Sequence, residues 1–145
     1  MTYLAIRNLS KRYQSENNHK PTIALDNIDF RVQKGEFISI LGPSGCGKTT
    51  LSRALLRLIE PNSGEILFRN KSIIPLSFTE MRKQRKEMQL IFQDPYSSLN
   101  PRISIGKAIL EPMKIHGVGN SNKERKERLE DLLNRVGLSE SHFNR

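Results

Sequence analysis

A single cysteine, Cys46, stands in 145 residues, so no disulfide can close within the chain. That usage fits a reducing compartment, and the cytoplasm is the expected location. No run of eighteen apolar residues occurs, which excludes a bilayer-spanning helix in this sequence. The opening residues, Met1 to Arg7, lack the basic start and long apolar stretch of a secretory signal. Acidic residues are scarce: 15 Asp and Glu against 24 Lys and Arg leave a net charge of +9. Such a balance first suggests a nucleic-acid partner. The placement of the charge argues against it. One basic run spans residues 82–86, and a second, 123–128, is interleaved with Glu124 and Glu127 as on a solvated helix face. Neither carries the interleaved aromatics of a single-strand binder. An acidic partner or proximity to a membrane surface accounts for the charge equally well.

At this length the chain is about one domain's worth of sequence. Residues 3–7 and 23–32 show short apolar alternations, with Ile28, Phe30 and Val32 spaced by two, and predict strands. A polar stretch at 14–20 predicts a loop between them. Residues 37–41 are almost continuously apolar, as expected of a strand buried on both faces of a sheet. The period then changes. Leu51, Ala54, Leu55, Leu58 and Ile59 fall on one face of an amphipathic helix, which Pro61 and Gly64 end. Residues 65–68 and 88–92 predict further strands. Residues 103–116 and 122–136 predict helices, the second with Leu129, Leu132, Leu133 and Val136 as its apolar stripe. The fold class expected is α/β, with a core over 1–95 and a helical part over 96–145.

Between the apolar run and the helix lies Gly42-Pro43-Ser44-Gly45-Cys46-Gly47-Lys48-Thr49-Thr50, which satisfies G-x-x-x-x-G-K-[ST]. Each residue type has a mechanical reason. Glycines permit positive φ and let bare amide N–H groups approach phosphate oxygens. The helix that begins near Lys48 directs its unpaired N–H groups and positive dipole end at the same anion. Lys48 supplies a point charge for the β- and γ-phosphates, and Thr49 a hydroxyl for Mg²⁺. The fixed positions match by chance in about one chain of this length in two hundred, and the strand-before, helix-after context narrows that further. The expected ligand is MgATP. Cys46 within the loop is either a small filler among glycines or a reactive thiol beside a helix N-terminus and Lys48.

The sequence resembles the ATP-binding subunit of an ABC transporter, and within that superfamily the oligopeptide, dipeptide and nickel importers. The resemblance runs from Leu4 to Ser139. It rests on the phosphate loop, on Asp26-Asn27-Ile28-Asp29-Phe30 with Lys34-Gly35-Glu36 before it, and on Glu60-Pro61-Asn62-Ser63-Gly64-Glu65-Ile66 after its helix. Most specific is Phe92-Gln93-Asp94-Pro95-Tyr96-Ser97-Ser98-Leu99-Asn100-Pro101, with Gln93 placed 45 residues after Lys48. The resemblance implies a P-loop NTPase fold of ABC type: a mixed sheet with antiparallel N-terminal strands and the start of a helical subdomain. It makes Gln93 the Q-loop glutamine that helps orient Mg²⁺ or water, and Tyr13 the aromatic that stacks on adenine. It also implies membrane permease subunits and a second ATP-binding subunit as partners, and a peripheral position on the inner face of the cell membrane. Residues 96–116 would face the permease.

Hydrolysis asks for more: an Asp at the end of an apolar strand and a group that positions water. No four apolar residues precede an Asp-Glu pair here. The nearest acidic pair, Glu130-Asp131, lies on the predicted second helix, and His19, His116 and His142 read as surface residues. The family's Leu-Ser-Gly-Gly-Gln signature, acidic pair and switch histidine are absent. The strand bearing that pair would lie beside residues 37–41. The chain is thus expected to be the N-terminal part of a longer subunit, prone to aggregate alone and without ATP turnover. Alternatives are a small P-loop phosphotransferase, a non-transport ABC ATPase acting on DNA or in translation, and a non-functional truncated remnant.

Overall fold

A computed structural model describes residues 2–14, 20–94, 100–139, 141 and 143. Pro95-Tyr96-Ser97-Ser98-Leu99 of the continuation after Gln93, together with His19 and His142, lie outside the described residues. The chain divides into two compact units, Met1–Leu90 and Ile91–Arg145.

The first unit is built on a four-stranded antiparallel sheet of order β2-β1-β3-β4. Its strands are β1 (Thr2–Tyr13), β2 (Thr22–Gln33), β3 (Ser63–Phe68) and β4 (Lys71–Ser72). The period-two alternation in β2 does what it predicts: Ile28, Phe30 and Val32 are half-buried while Asp29, Arg31 and Gln33 are exposed. β1 carries a bulge. Asn8, at φ 48°, lies at a register shift between Ile6 and Leu9, and across it Asn27 of β2 holds φ 47°. Asparagine tolerates this left-handed conformation because its short amide can bond locally. Here the Asn27 backbone N–H donates to the Ser10 hydroxyl at 3.0 Å. Gly64 of β3 packs directly against the bulge at φ 100°.

One helix, α1 (Lys48–Leu55), lays Leu51 and Ala54 into a core with Ile6, Leu9, Leu25, Ile66, Phe68, Ile73 and Met81. Its C-terminal end is held by two arginines from within this unit. Arg85 donates to the carbonyls of Leu56 and Arg57 at 2.9 and 2.7 Å. Arg57, at φ 49°, donates to the carbonyls of Ile73 and Leu76 at 2.9 and 2.7 Å. Arg85 thereby satisfies the carbonyls at and just past the helix end, and Arg57 ties that end to the 73–76 segment. The short helix α2 (Phe78–Gln84) opens on a capping box between Ser77 and Glu80, and the Ser77 hydroxyl holds the Glu80 carboxyl below its usual range.

The second unit holds α3 (Ile105–Ile115) and α4 (Asn122–Arg135). α3 buries Gly106 and Met113, and α4 buries Leu129 and Leu133. The predicted stripe on α4 is half correct: Leu132 and Val136 are 42% and 69% exposed. Periodicity draws a wide face, and only the part that meets a neighbour is covered.

Two predicted strands do not form. Residues 37–41 run without secondary structure; Phe37 is 91% and Leu41 88% exposed. No backbone hydrogen bond joins this segment to any described residue. Residues 88–92 likewise carry no strand, and Ile91 and Phe92 are exposed. Apolar runs of this kind call for ladder partners on both sides, and among the described residues none pairs with either. All the described strand pairs are antiparallel.

Candidate functional site

The glycine loop ends where α1 begins. Gly47 is its N-cap, at φ 98°, with no side-chain cap, so the N–H groups of the first turn receive no side-chain acceptor there. Gly45 sits at φ 81° in open space, a conformation that favours glycine for backbone reasons alone. Gly47 is doubly constrained, since a Cβ there would meet the Ala24 carbonyl oxygen of β2 at 2.3 Å. At Gly42 a Cβ would meet the Cys46 sulfur at 2.8 Å. Pro43 closes the turn by accepting the Cys46 N–H at 3.4 Å. Ser44 and Thr49 are exposed, and Thr50 is half-buried on the first turn of α1.

Lys48 organises this loop. Its ammonium donates to the carbonyl oxygens of Gly42 and Pro43, each at 2.7 Å, and lies 3.4 Å from the Cys46 sulfur. A full positive charge is therefore held at a helix N-terminus beside bare glycine amides. Chemically, the arrangement is suited to receive a polyanion. Cys46 is exposed at the same place. Alkylation of its thiol in the chain should slow about tenfold when MgATP is present, on the scale of ligand protection at a well-populated site. Equal rates of thiol labelling with and without nucleotide, followed by mass spectrometry, would remove Cys46 from the ligand's footprint.

Tyr13 closes β1 opposite Thr22 of β2. Two residues along β2 is Ala24, whose carbonyl abuts Gly47, so Tyr13 is about 7 Å of strand away from the loop contact. Tyr13 is 42% exposed, with the Lys11 ammonium 5.2 Å from its ring centroid. The sequence alone does not single out Lys11, although its spacing of two from Tyr13 on a strand places both side chains on one face. Gln93 falls in the second unit, where it is exposed. Asp131 is an exposed α4 residue paired with Arg135 at 2.9 Å, and Glu130 pairs with Lys126. Both are helix-surface ion pairs. His116 is the C-cap of α3. Among the described residues no cluster of three His, Cys, Asp or Glu could hold a metal. Mg²⁺ bound with a nucleotide does not require one, since phosphate oxygens and water fill most of its shell.

A family model described as ABC transporter matches residues 25–145. A putative peptide import ATP-binding protein of Brucella ovis is 44% identical over 142 residues, covering 98% of this chain and 44% of that protein. The glutathione import ATP-binding protein GsiA of Salmonella choleraesuis is 47% identical over 119 residues, covering 82% of this chain and 19% of that protein. Among solved structures, the ATP-binding cassette MJ0796, dimeric in a post-hydrolysis state with ADP and Pi, superposes with a TM-score of 0.79 at 28% identity. That match covers 97% of this chain and 60% of the cassette. The chain thus spans less than half the length of these curated relatives.

Proposed function

Because the chain belongs to the ABC transporter family, as the match over residues 25–145 shows, we propose that it is the ATP-binding, energy-coupling part of an importer of peptides. The observation that carries the nucleotide role is the Lys48 ammonium, drawn onto the Gly42 and Pro43 carbonyls at the mouth of a loop of uncapped amides. Phosphate oxygens would take the amides of the loop and first turn, with Lys48 neutralising charge. The Thr49 hydroxyl, and Gln93 by its place in the motif, would hold Mg²⁺, which shields charge on the phosphates and fixes their geometry when bound. Gly42, Pro43, Ser44, Gly45, Cys46, Gly47 and Thr50 form the cradle, and Tyr13 faces the base.

Peptide cargo is supported by relatives named for peptide and glutathione import, and nickel is a second cargo that the same motifs allow. The partners would be membrane permease subunits and a second ATP-binding subunit, on the inner face of the cell membrane. No described helix is long and apolar enough to cross a membrane. Residues 1–95 would serve as the nucleotide-binding core and 96–145 as part of a helical subdomain. Binding is the role proposed for these residues; the sequence holds no Asp-Glu pair at the end of an apolar strand to complete a hydrolytic site.

Isothermal titration of the 145-residue chain checks this. MgATP and MgADP should compete for one site per chain, and AMP should bind at least about a hundredfold more weakly because it lacks the phosphates that Lys48 contacts. A folded chain that binds no nucleotide, or that binds DNA with a steep salt slope instead, would sink the proposal and favour the nucleic-acid alternative.

A further inference from the structure

The phosphate cradle and the aromatic side chain facing the base belong to different elements, α1 and β1, so something must fix their spacing. Three contacts do so at the end of β1. The Lys11 ammonium donates to the Glu60 carbonyl at 2.7 Å. The Arg12 N–H donates to the Asn62 side-chain oxygen at 2.7 Å, and the Asn62 N–H returns a bond to the Ser10 carbonyl at 2.9 Å. Glu60 is itself held, its carboxylate paired with Arg57 at 2.8 Å. The segment that leaves α1 is therefore sewn to the three residues that precede Tyr13. On the other side, Gly47 at the start of α1 abuts Ala24 of β2, next to the strand pair that Tyr13 and Thr22 close. Both ends of the phosphate-loop helix thus reference the same sheet corner.

Within that corner Lys11 does two things at once. Its ammonium lies over one face of the Tyr13 ring, 5.2 Å from the centroid, while the Glu60 carbonyl pins the ammonium in place. A cation over a ring face restricts the ring's orientation, so a flat group stacking on Tyr13 would do so on the opposite face. A platform ordered before the ligand arrives loses less entropy on binding.

We propose that Lys11 is a positioning residue, holding Tyr13 as a pre-set platform for the nucleobase and so contributing to base-dependent affinity. This role rests on the nucleotide site described above. A general electrostatic effect of Lys11 would act on any polyphosphate; a positioning effect acts only on ligands that carry a base.

Titration calorimetry on the full 145-residue chain separates the two, with MgATP and magnesium tripolyphosphate as probes. Lys11→Ala should weaken MgATP about three- to fivefold, the scale of an exposed cation–ring contact, and leave tripolyphosphate within about twofold. Lys11→Arg keeps a cation over the ring and should restore most of the loss. In a Tyr13→Ala background, Lys11→Ala should cost nothing further. Equal weakening of both ligands, or additive losses in the double variant, would overturn the positioning role while leaving the nucleotide site standing. A folded wild-type chain that binds neither compound would overturn the nucleotide site and this role with it.

Discussion

Replacing Lys48 by alanine should weaken MgATP binding about thirty- to a hundredfold, a loss of about 2–3 kcal/mol for a charge-assisted contact. The loop shows why the effect is this large. Among the described residues, Lys48 is the one cation bonded to the loop's own carbonyls, at 2.7 Å from both Gly42 and Pro43. Removing it leaves those oxygens facing an incoming polyanion with no positive charge between them. Lys48→Arg should not rescue, since a planar guanidinium cannot take the place of a compact ammonium between two carbonyls that close. The thermal midpoint should change little, because the contacts of the lysine are solvent-facing and local. Calorimetric titration together with a melting curve tests both parts. An affinity within threefold of the wild type would show that the loop amides alone hold the phosphates.

Gly64→Ala should destabilise the first unit by more than about 3 kcal/mol, since backbone strain and steric overlap act together. At φ 100° an L-residue is strained whatever space it has, and here it has none. A Cβ would sit 2.5 Å from the Asn8 carbonyl oxygen, 2.6 Å from Leu9 Cα and 2.7 Å from the Arg7 carbonyl oxygen, all of them backbone. No side chain can swing away to make room. The β1 bulge would have to open, and with it the register that brings Leu9 into the core and Ser10 onto Asn27. Gly35 provides the control: it has φ 81° with nothing within 4 Å, so Gly35→Ala should cost only the strain, about 1 kcal/mol. Urea unfolding of the two variants side by side measures the difference. Similar midpoints for both would show that β3 can shift away from the bulge.

Much of this is legible in the sequence. The alternation at Ile28, Phe30 and Val32 named a strand face correctly, because strand periodicity is a local property of the backbone. The start of α1 at Lys48 and the positive φ of Gly45 and Gly47 follow from the loop pattern, because glycines clustered before a helix start take turns that other residues adopt only with strain. What stayed hidden depends on distant partners. Residues 37–41 and 88–92 are apolar enough to be interior strands, yet a strand exists only if a neighbour pairs with it, and apolar content does not say whether one does. Nothing in the sequence singles out Arg57, and Arg85 stands only within a basic run; their grip on four backbone carbonyls requires knowing where α1, β4 and α2 meet. Lys11 was hidden for a third reason. Its position over Tyr13 depends on a rotamer fixed by a carbonyl 49 residues away.

The loop that follows residues 37–41 is tied to the fold differently at its two ends. Downstream, Gly47 runs into a helix whose Leu51 N–H bonds back to the Gly47 carbonyl at 2.8 Å and whose Leu51 and Ala54 are buried in the core. Upstream, the Gly42 carbonyl accepts from the Lys48 ammonium at 2.7 Å, and among the described residues no ladder pairs with 37–41. Drawing Lys48 toward a polyanion would release the Gly42 and Pro43 carbonyls together, so the loop's entrance would be the first part to respond.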